Sequence, residues 1–171
     1  PSLVGSEMCI RDRTKVLRNN IEGVSDGISF GSTTKPDSFA QLLSQEETRL
    51  SRLNRKPLVE VSAEDFAPHF PPKTLDSIAA ITTEACLNAV KYSPAGAEIV
   101  ISVRPHLGWT VITITNPVSK PTSTNADMSS GIGMASMSRI AATIDARVDA
   151  KLEHNQWELS LFLPPSTQKA G

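Results

Sequence analysis

Three polar residues share one side of a predicted helix: Glu84, Asn88 and Lys91, spaced by four and then three positions. At about 100° per residue they lie within about 60° of one another. Carboxylate and amide oxygens suit Mg²⁺, which usually takes only one or two protein ligands together with phosphates and waters. A Glu and an Asn buried without partners would be costly, so they must face something that satisfies them. A magnesium and phosphate site is one interpretation, and a simply solvated helix face is the other.

A pair of glycines is the second candidate for chemistry, in the run Gly131-Ile132-Gly133-Met134 that opens a predicted helix. Glycine lets the backbone approach a ligand closely, and the first N–H groups of a helix bind phosphate oxygens. Most such pairs are merely turns. Here the preceding stretch, 116–130, is long and has no predicted structure, a length that compact domains usually keep for a function such as a lid. We therefore predict a phosphate-binding turn.

The elements that must position these residues follow from the hydrophobic periodicity. The polar stripe belongs to a long helix, about Thr74 to Tyr92, whose other positions are largely apolar and which is therefore expected to be buried. The further predicted elements, in chain order, are a helix from Asp37 or Ser38 to about Asn54, a strand at 58–61, a hairpin of 98–104 with 109–115, a helix at 134–144 and a hairpin of 146–152 with 157–163. This order predicts an α+β fold, a two-layer α/β sandwich with a mixed, mostly antiparallel sheet and helices on one face.

Composition excludes several classes of protein. The chain of 171 residues has a formal net charge of −1, which argues against a sequence-independent nucleic-acid binder because such proteins carry a basic surplus. No apolar run is long enough to cross a bilayer, so no direct membrane contact is expected. Cys9 and Cys86 are too far apart for a zinc or disulfide motif, and a cytoplasmic location is expected.

Both motifs resemble those of one superfamily. Glu84–Tyr92 reads Glu-Ala-Cys-Leu-Asn-Ala-Val-Lys-Tyr and resembles the N-box Glu-Ala-x-x-Asn-Ala-x-Lys-His. Gly131–Met137 reads Gly-Ile-Gly-Met-Ala-Ser-Met and resembles the glycine box Gly-x-Gly-Leu-x-Gly-Met. These are motifs of the ATP-binding domain (Bergerat-type fold, GHKL superfamily) that histidine kinases share with type II topoisomerases. The match is best to bacterial two-component sensor histidine kinases of the nitrate-sensor and desaturase-sensor type.

The resemblance implies a role for each residue. Asn88 would ligate Mg²⁺, and Glu84 would orient water or act as a base toward the γ-phosphate of ATP. Nucleotide contacts would come from Lys91, Tyr92, Asn116, Gly131, Ile132, Gly133 and Met134, with 117–130 as the ATP lid. The implied activity is that of a histidine protein kinase. It transfers the γ-phosphate to a histidine of a missing upstream helix and so to a response regulator, within a homodimer formed by upstream helices.

The resemblance also divides the chain. Residues 38–165 would be the catalytic domain, 33–37 a linker, 14–32 the end of a dimerisation helix and 166–171 a disordered tail. Residues 1–13 read PSLVGSEMCIRDR, which we interpret as translated sequencing adaptor rather than a natural terminus. The natural protein is therefore expected to extend further upstream. Alone, the chain is expected to bind ATP·Mg²⁺ weakly and not to autophosphorylate.

Three departures from the family pattern bear on function. The usual Asp-x-Gly that binds the adenine amine is replaced by Asn116-Pro-Val, although the amide oxygen of Asn116 can still accept a hydrogen bond. Ser136 replaces a glycine, and Trp157 stands near a common threonine, either in the core or against the adenine pocket. Two alternatives therefore stay open: an anti-sigma-factor serine kinase of the same superfamily, and a degenerate nucleotide-binding interaction module without catalysis.

Overall fold

The computed structural model describes residues 34–62, 68–119 and 132–165. The helices are α1 (Phe39–Arg52), α2 (Pro72–Tyr92) and α3 (Ile132–Ala142), and the strands are β1 (Lys56–Val61), β2 (Glu98–His106), β3 (Trp109–Pro117), β4 (Arg147–Glu153) and β5 (Gln156–Leu163). Within these ranges, no helix combines the length and the apolar character that crossing a bilayer requires.

The five strands form one mixed sheet in the order β1-β2-β3-β5-β4. β1 runs parallel to β2 across the connection that contains α2, and the other neighbouring pairs are antiparallel. The predicted α+β fold with a mixed, mostly antiparallel sheet is therefore confirmed. The short strand predicted at 58–61 is longer, because Lys56 and Pro57 already pair with Glu98 and Ile99 on β2.

The core lies between the sheet and the three helices. Alternate residues of the central strands are fully buried, among them Ile99 and Ile101 on β2 and Ile112 and Ile114 on β3. Because side chains alternate along a strand, these residues form one apolar face, against which the helices pack. Near the carboxyl end of β3, that same face carries a buried polar residue, Asn116.

Local signals account for the helix starts. Ser38 caps α1, since its Oγ accepts a hydrogen bond of 3.1 Å from the backbone N–H of Gln41. α2 begins two residues before the predicted Thr74, at Pro72, because proline suits the first helical position where no N–H partner is needed. α3 spans 132–142 rather than the predicted 134–144. Its start at Ile132 places Gly133 inside the first helical turn.

Two expectations about exposure and loop bounds are wrong. β3 continues through Asn116 and Pro117, which pair with Trp157 and Gln156 on β5, so the predicted loop begins later than residue 116. Proline is tolerated there because it is the last residue of the strand. α2 is also not buried all round, since the Leu87 side chain is 42% exposed. One face of this helix therefore meets solvent.

The β2–β3 hairpin contains an unfavourable turn residue. Leu107 and Gly108 both have positive φ, 50° and 83°, as the two central residues of a type I′ turn require. A leucine is sterically unfavourable in this conformation. The Leu107 side chain is 88% exposed, so burial of its apolar surface does not offset that cost. We expect Leu107→Asn to raise the free energy of unfolding by about 1 kcal/mol, measured by urea denaturation. Leu107→Ala removes the same exposed side chain but lacks the short polar group whose local hydrogen bonds let asparagine adopt positive φ, and an equal gain there would contradict this explanation.

Candidate functional site

The two motifs meet where α2 packs against the first turn of α3. A Cβ atom placed on Gly133 would lie 3.1 Å from Oε1 of Glu84 and 3.4 Å from Nδ2 of Asn88. The first distance is shorter than an ordinary contact, so a side chain at this position would displace the Glu84 carboxylate by a few tenths of an ångström, and glycine lets the α3 backbone approach without that shift. Glu84 and Asn88 are both half-buried. Spacing along the helix and the glycine pair thus point to a single place in the fold.

The predicted polar stripe divides into two parts. Glu84 and Asn88 face the start of α3, which fits poorly with a simply solvated helix face. Lys91, in the last turn of α2, is exposed, and its Nζ lies 5.2 Å from the ring centroid of Tyr92. A cation in the last turn of a helix is favoured by the partial negative charge of the terminal carbonyls. Lys91 therefore lies beside Tyr92, about one helical turn beyond Asn88 on α2.

Asn116 is the buried polar residue on the helix-facing side of β3. It is 1% exposed, and its Nδ2 donates a hydrogen bond of 3.0 Å to the carbonyl of Pro117. Because a carbonyl can only accept, this bond fixes the amide orientation and leaves Oδ1 as the remaining acceptor. Among the described residues, Oδ1 has no hydrogen-bond partner. A buried acceptor without a donor costs about 1–3 kcal/mol, so this atom fits a donor that a ligand supplies.

Trp157 lies directly opposite Asn116 in the antiparallel register of β3 and β5. It is 5% exposed and belongs to the hydrophobic core. Trp157 is therefore a core residue, and its position borders Asn116 on the helix-facing side of the sheet. It supplies an apolar boundary for that side chain. Its predicted alternative role beside the adenine pocket stays a prediction.

Backbone hydrogen bonds bring the end of β3 to the end of α2. The Ser119 N–H donates to the carbonyl of Tyr92 at 3.1 Å, and the Val118 N–H donates to the carbonyl of Asn155 at 2.9 Å. Asn116 precedes this anchored segment by two residues. The orphaned amide oxygen and the C-terminal turn of α2 consequently lie at the same end of the molecule.

Part of the predicted site falls outside the described residues. Gly131 and the predicted lid from residue 120 onward lie there, as do 1–33 and 166–171. Ile132, Gly133 and Met134 form the first turn of α3, where backbone N–H groups have no acceptor within their own helix. Met134 is partly buried and packs against the core. The phosphate-binding contribution of these three residues stays a prediction.

A buried polar cluster between α1 and α2 was missed by the sequence interpretation. Glu46 is 2% exposed and accepts hydrogen bonds from Arg49 Nη1 at 2.6 Å and from Thr83 Oγ1 at 2.6 Å. Burial raises the pKa of Glu46, although the bonds from Thr83 and Arg49 oppose the shift. Its position four residues from both Leu42 and Leu50 was a signal, since it interrupts an apolar stripe. The cluster joins α1 to the residue that precedes Glu84.

The raised pKa of Glu46 has a measurable consequence for stability. The protonated carboxyl group of Glu46 holds its proton more tightly in the folded protein than in the unfolded chain. The stability that protonated Glu46 contributes at low pH is therefore lost as the pH rises through the raised pKa. Gln does not titrate. We expect the free energy of unfolding of Glu46→Gln, relative to wild type, to increase between about pH 4 and about pH 7. Urea denaturation at both pH values measures this difference.

The matched control for that experiment is Glu60→Gln, which changes an exposed glutamate on β1. Its stability relative to wild type is expected to stay nearly constant over the same pH interval. If Glu46→Gln were equally insensitive to pH, the assignment of Glu46 as a carboxyl group that resists ionisation would be wrong.

Comparisons with known proteins agree at the level of the fold. No family model matches the sequence, and no curated protein matches it. Among solved structures, the catalytic domain of histidine kinase ThkA matches at 11% identity and a TM-score of 0.56, covering 74% of this chain and 93% of that one. The histidine kinase domain of the Erythrobacter litoralis blue-light activated histidine kinase matches at 14% identity and a TM-score of 0.59, covering 95% of this chain and 76% of that one. The mycobacterial sensor histidine kinase MprB matches at 16% identity and a TM-score of 0.56, covering 77% of this chain and 97% of that one. At these identities the shared property is the fold, and the chain has the fold of histidine kinase catalytic domains.

Proposed function

We propose that this chain contains the ATP-binding catalytic domain of a bacterial sensor histidine kinase of the nitrate-sensor or desaturase-sensor type. The observation that carries the proposal is the close approach of Gly133 to Glu84 and Asn88. Two sequence motifs that the family uses for metal and phosphate binding thereby form one cluster. The fold shared with histidine kinase catalytic domains supports the same conclusion.

The residues of this cluster fit ATP and Mg²⁺. Asn88 would supply one oxygen ligand, which suits a cation that keeps most of its coordination for phosphates and water. The bound ion supplies neutralisation of the phosphate charge. Glu84 would orient the attacking group or accept its proton, while the first-turn N–H groups of α3 would donate to phosphate oxygens. Lys91 and Tyr92 would contact the phosphates from the end of α2.

Asn116 would receive the adenine amine through its orphaned Oδ1. A neutral amide oxygen accepts a weaker hydrogen bond than a carboxylate does. The proposal therefore includes a modest ATP affinity, lower than a chain with Asp at this position would have. Trp157, next to Asn116 across the strands, would close the apolar side of that pocket.

The phosphoacceptor is proposed to lie outside this chain. His69 precedes α2, His106 ends β2, and His154 lies in the β4–β5 turn, so none of the three is helical. Helical presentation is what the family resemblance leads us to expect. An upstream helix of a cytoplasmic homodimer would supply the acceptor histidine, and a response regulator would receive the phosphoryl group from it.

A non-catalytic nucleotide-binding module is the second candidate, and the replacement of the usual Asp by Asn116 favours it.

Calorimetric titration of ATP into the chain, with Mg²⁺ and with EDTA, separates the possibilities. Binding that requires Mg²⁺, followed by phosphoryl transfer to an added upstream helical domain, is the expected result for the kinase. Binding without transfer supports the module. No binding at about 1 mM ATP in a folded sample contradicts both.

A further inference from the structure

Arg55 lies in the short connection between α1 and β1, and its guanidinium reaches the end of α2. Nη2 donates to the carbonyl of Val90 at 2.8 Å and to the carbonyl of Ser93 at 3.0 Å. Nε donates to Oγ of Ser93 at 2.8 Å. Three of its hydrogen bonds therefore end on the last turn of α2 and on the residue that follows it.

The remaining bonds of Arg55 hold its own turn. Nη1 donates to the carbonyls of Leu53 at 3.0 Å and Asn54 at 3.1 Å. A guanidinium has five N–H donors in one plane, and Arg55 makes five hydrogen bonds with them. Lysine could not reproduce this pattern, because an ammonium group has three donors at a single point.

The end of α2 needs such a partner. The last carbonyls of a helix have no N–H partner within the helix. Many helices satisfy them with a motif that places a glycine in the left-handed conformation after the last turn. α2 instead ends on Ser93 in an extended conformation, with φ −95° and ψ 152°. Arg55 supplies donors where a glycine cap is missing, and its positive charge suits the negative end of the helix.

We propose that Arg55 is a positioning residue for the nucleotide site. It fixes the last turn of α2 and so places Lys91 and Tyr92, and it also fixes the Tyr92 carbonyl that accepts from Ser119. The proposal rests on the proposed function, because Lys91 and Tyr92 matter to catalysis only if the chain binds a nucleotide. It adds a residue that lies far from both sequence motifs.

The test compares ATP affinity by calorimetry in Mg²⁺ for wild type, Arg55→Lys and the control Arg52→Lys. Arg52 is exposed at the end of α1, three residues away, so its replacement should leave the Kd unchanged. Arg55→Lys is expected to raise the Kd about tenfold, since at least two bonds to the end of α2 are lost. Ser93→Ala removes only the acceptor for Nε and should produce a smaller rise, which keeps the test available if Arg55→Lys folds poorly.

A double-mutant cycle distinguishes positioning from general destabilisation. If Arg55 acts by placing Lys91 and Tyr92, then Arg55→Lys should add little to the loss already caused by replacing both residues together, as Lys91→Ala with Tyr92→Ala. Fold-changes that simply multiply would overturn the proposal. Unchanged affinity in both Arg55→Lys and Ser93→Ala would also overturn it.

Hydrogen exchange separates this proposal from the proposed function, because it requires no nucleotide. The amides of Ser93 and Ser119, which bond to Ala89 and Tyr92, are expected to exchange faster in Arg55→Lys, whereas those of the sheet stay protected. If wild type failed to bind ATP, the proposed function and the role of Arg55 in it would both be wrong, and faster exchange would leave only its anchoring of α2. If wild type binds ATP and neither exchange nor Kd changes, the Arg55 proposal alone fails.

Discussion

Asn88→Ala is expected to weaken ATP binding in the presence of Mg²⁺ by about a hundredfold, because it removes the side chain proposed to ligate the metal and so to orient the phosphates. Asn88 is half-buried on α2, and its amide lies within contact distance of a Cβ placed on Gly133. No other amide side chain belongs to the cluster that α2 and α3 form in the described residues. Calorimetry with Mg²⁺ and with EDTA measures the effect.

Two further variants make this result specific. Asn88→Asp keeps an oxygen ligand and should retain part of the Mg²⁺ dependence. Leu87→Ala changes the neighbouring exposed residue of α2 and should bind like wild type. In EDTA, wild type and Asn88→Ala should bind equally weakly. If Asn88→Ala kept the full Mg²⁺ dependence, Asn88 would not be the metal ligand.

Gly133→Ala is expected to lower phosphoryl transfer without lowering stability. Alanine favours the helical conformation over glycine, so the free energy of unfolding should stay constant or rise by up to about 1 kcal/mol. The new Cβ would lie 3.1 Å from Oε1 of Glu84, which must move by a few tenths of an ångström. Because the role proposed for Glu84 toward the γ-phosphate requires its carboxylate to be held in place, ATP-dependent phosphoryl transfer should fall about tenfold.

Phosphoryl transfer to an added upstream helical domain and urea denaturation measure these two effects. Ala135→Gly is the matched control, because Ala135 is exposed on the same helix and its replacement by glycine lowers the helix propensity that Gly133→Ala raises. It should lower stability without changing transfer at saturating ATP. Wild-type transfer rates in Gly133→Ala would show that the position of the Glu84 carboxylate is unimportant.

Local sequence patterns predicted the fold and the centre of the site because both depend on short-range periodicity. The 84–88 spacing and the glycine pair each define one face or one turn, and the order of helices and strands restricts how they pack. The bounds were less accurate where tertiary pairing decides them. β3 extends through Pro117 because β5 offers partners there, which the composition of 116–130 alone could not indicate.

The missed residues depend on contacts between distant parts of the chain. Arg55 follows a turn in a segment with no motif, and its partners are carbonyl groups 35 and 38 residues later. Backbone carbonyls carry no sequence signal, so no pattern identifies such a bond. Glu46 differs, because a carboxylate within an apolar stripe is visible in the sequence. Its partly buried partners, Arg49 and Thr83, explain how the fold tolerates it.

The pairing of β3 with β5 has a consequence for divergence within this fold. β3 is the central strand of the sheet, and its connection to β5 contains the segment after Ser119, α3 and the edge strand β4. Loop-closure entropy grows only with the logarithm of length, at about 0.6 kcal/mol for each doubling. Insertions or deletions before α3 therefore change the free energy of the sheet little. The number of residues between Ser119 and Ile132 can therefore vary among related proteins while the scaffold that holds Glu84 and Asn116 stays the same.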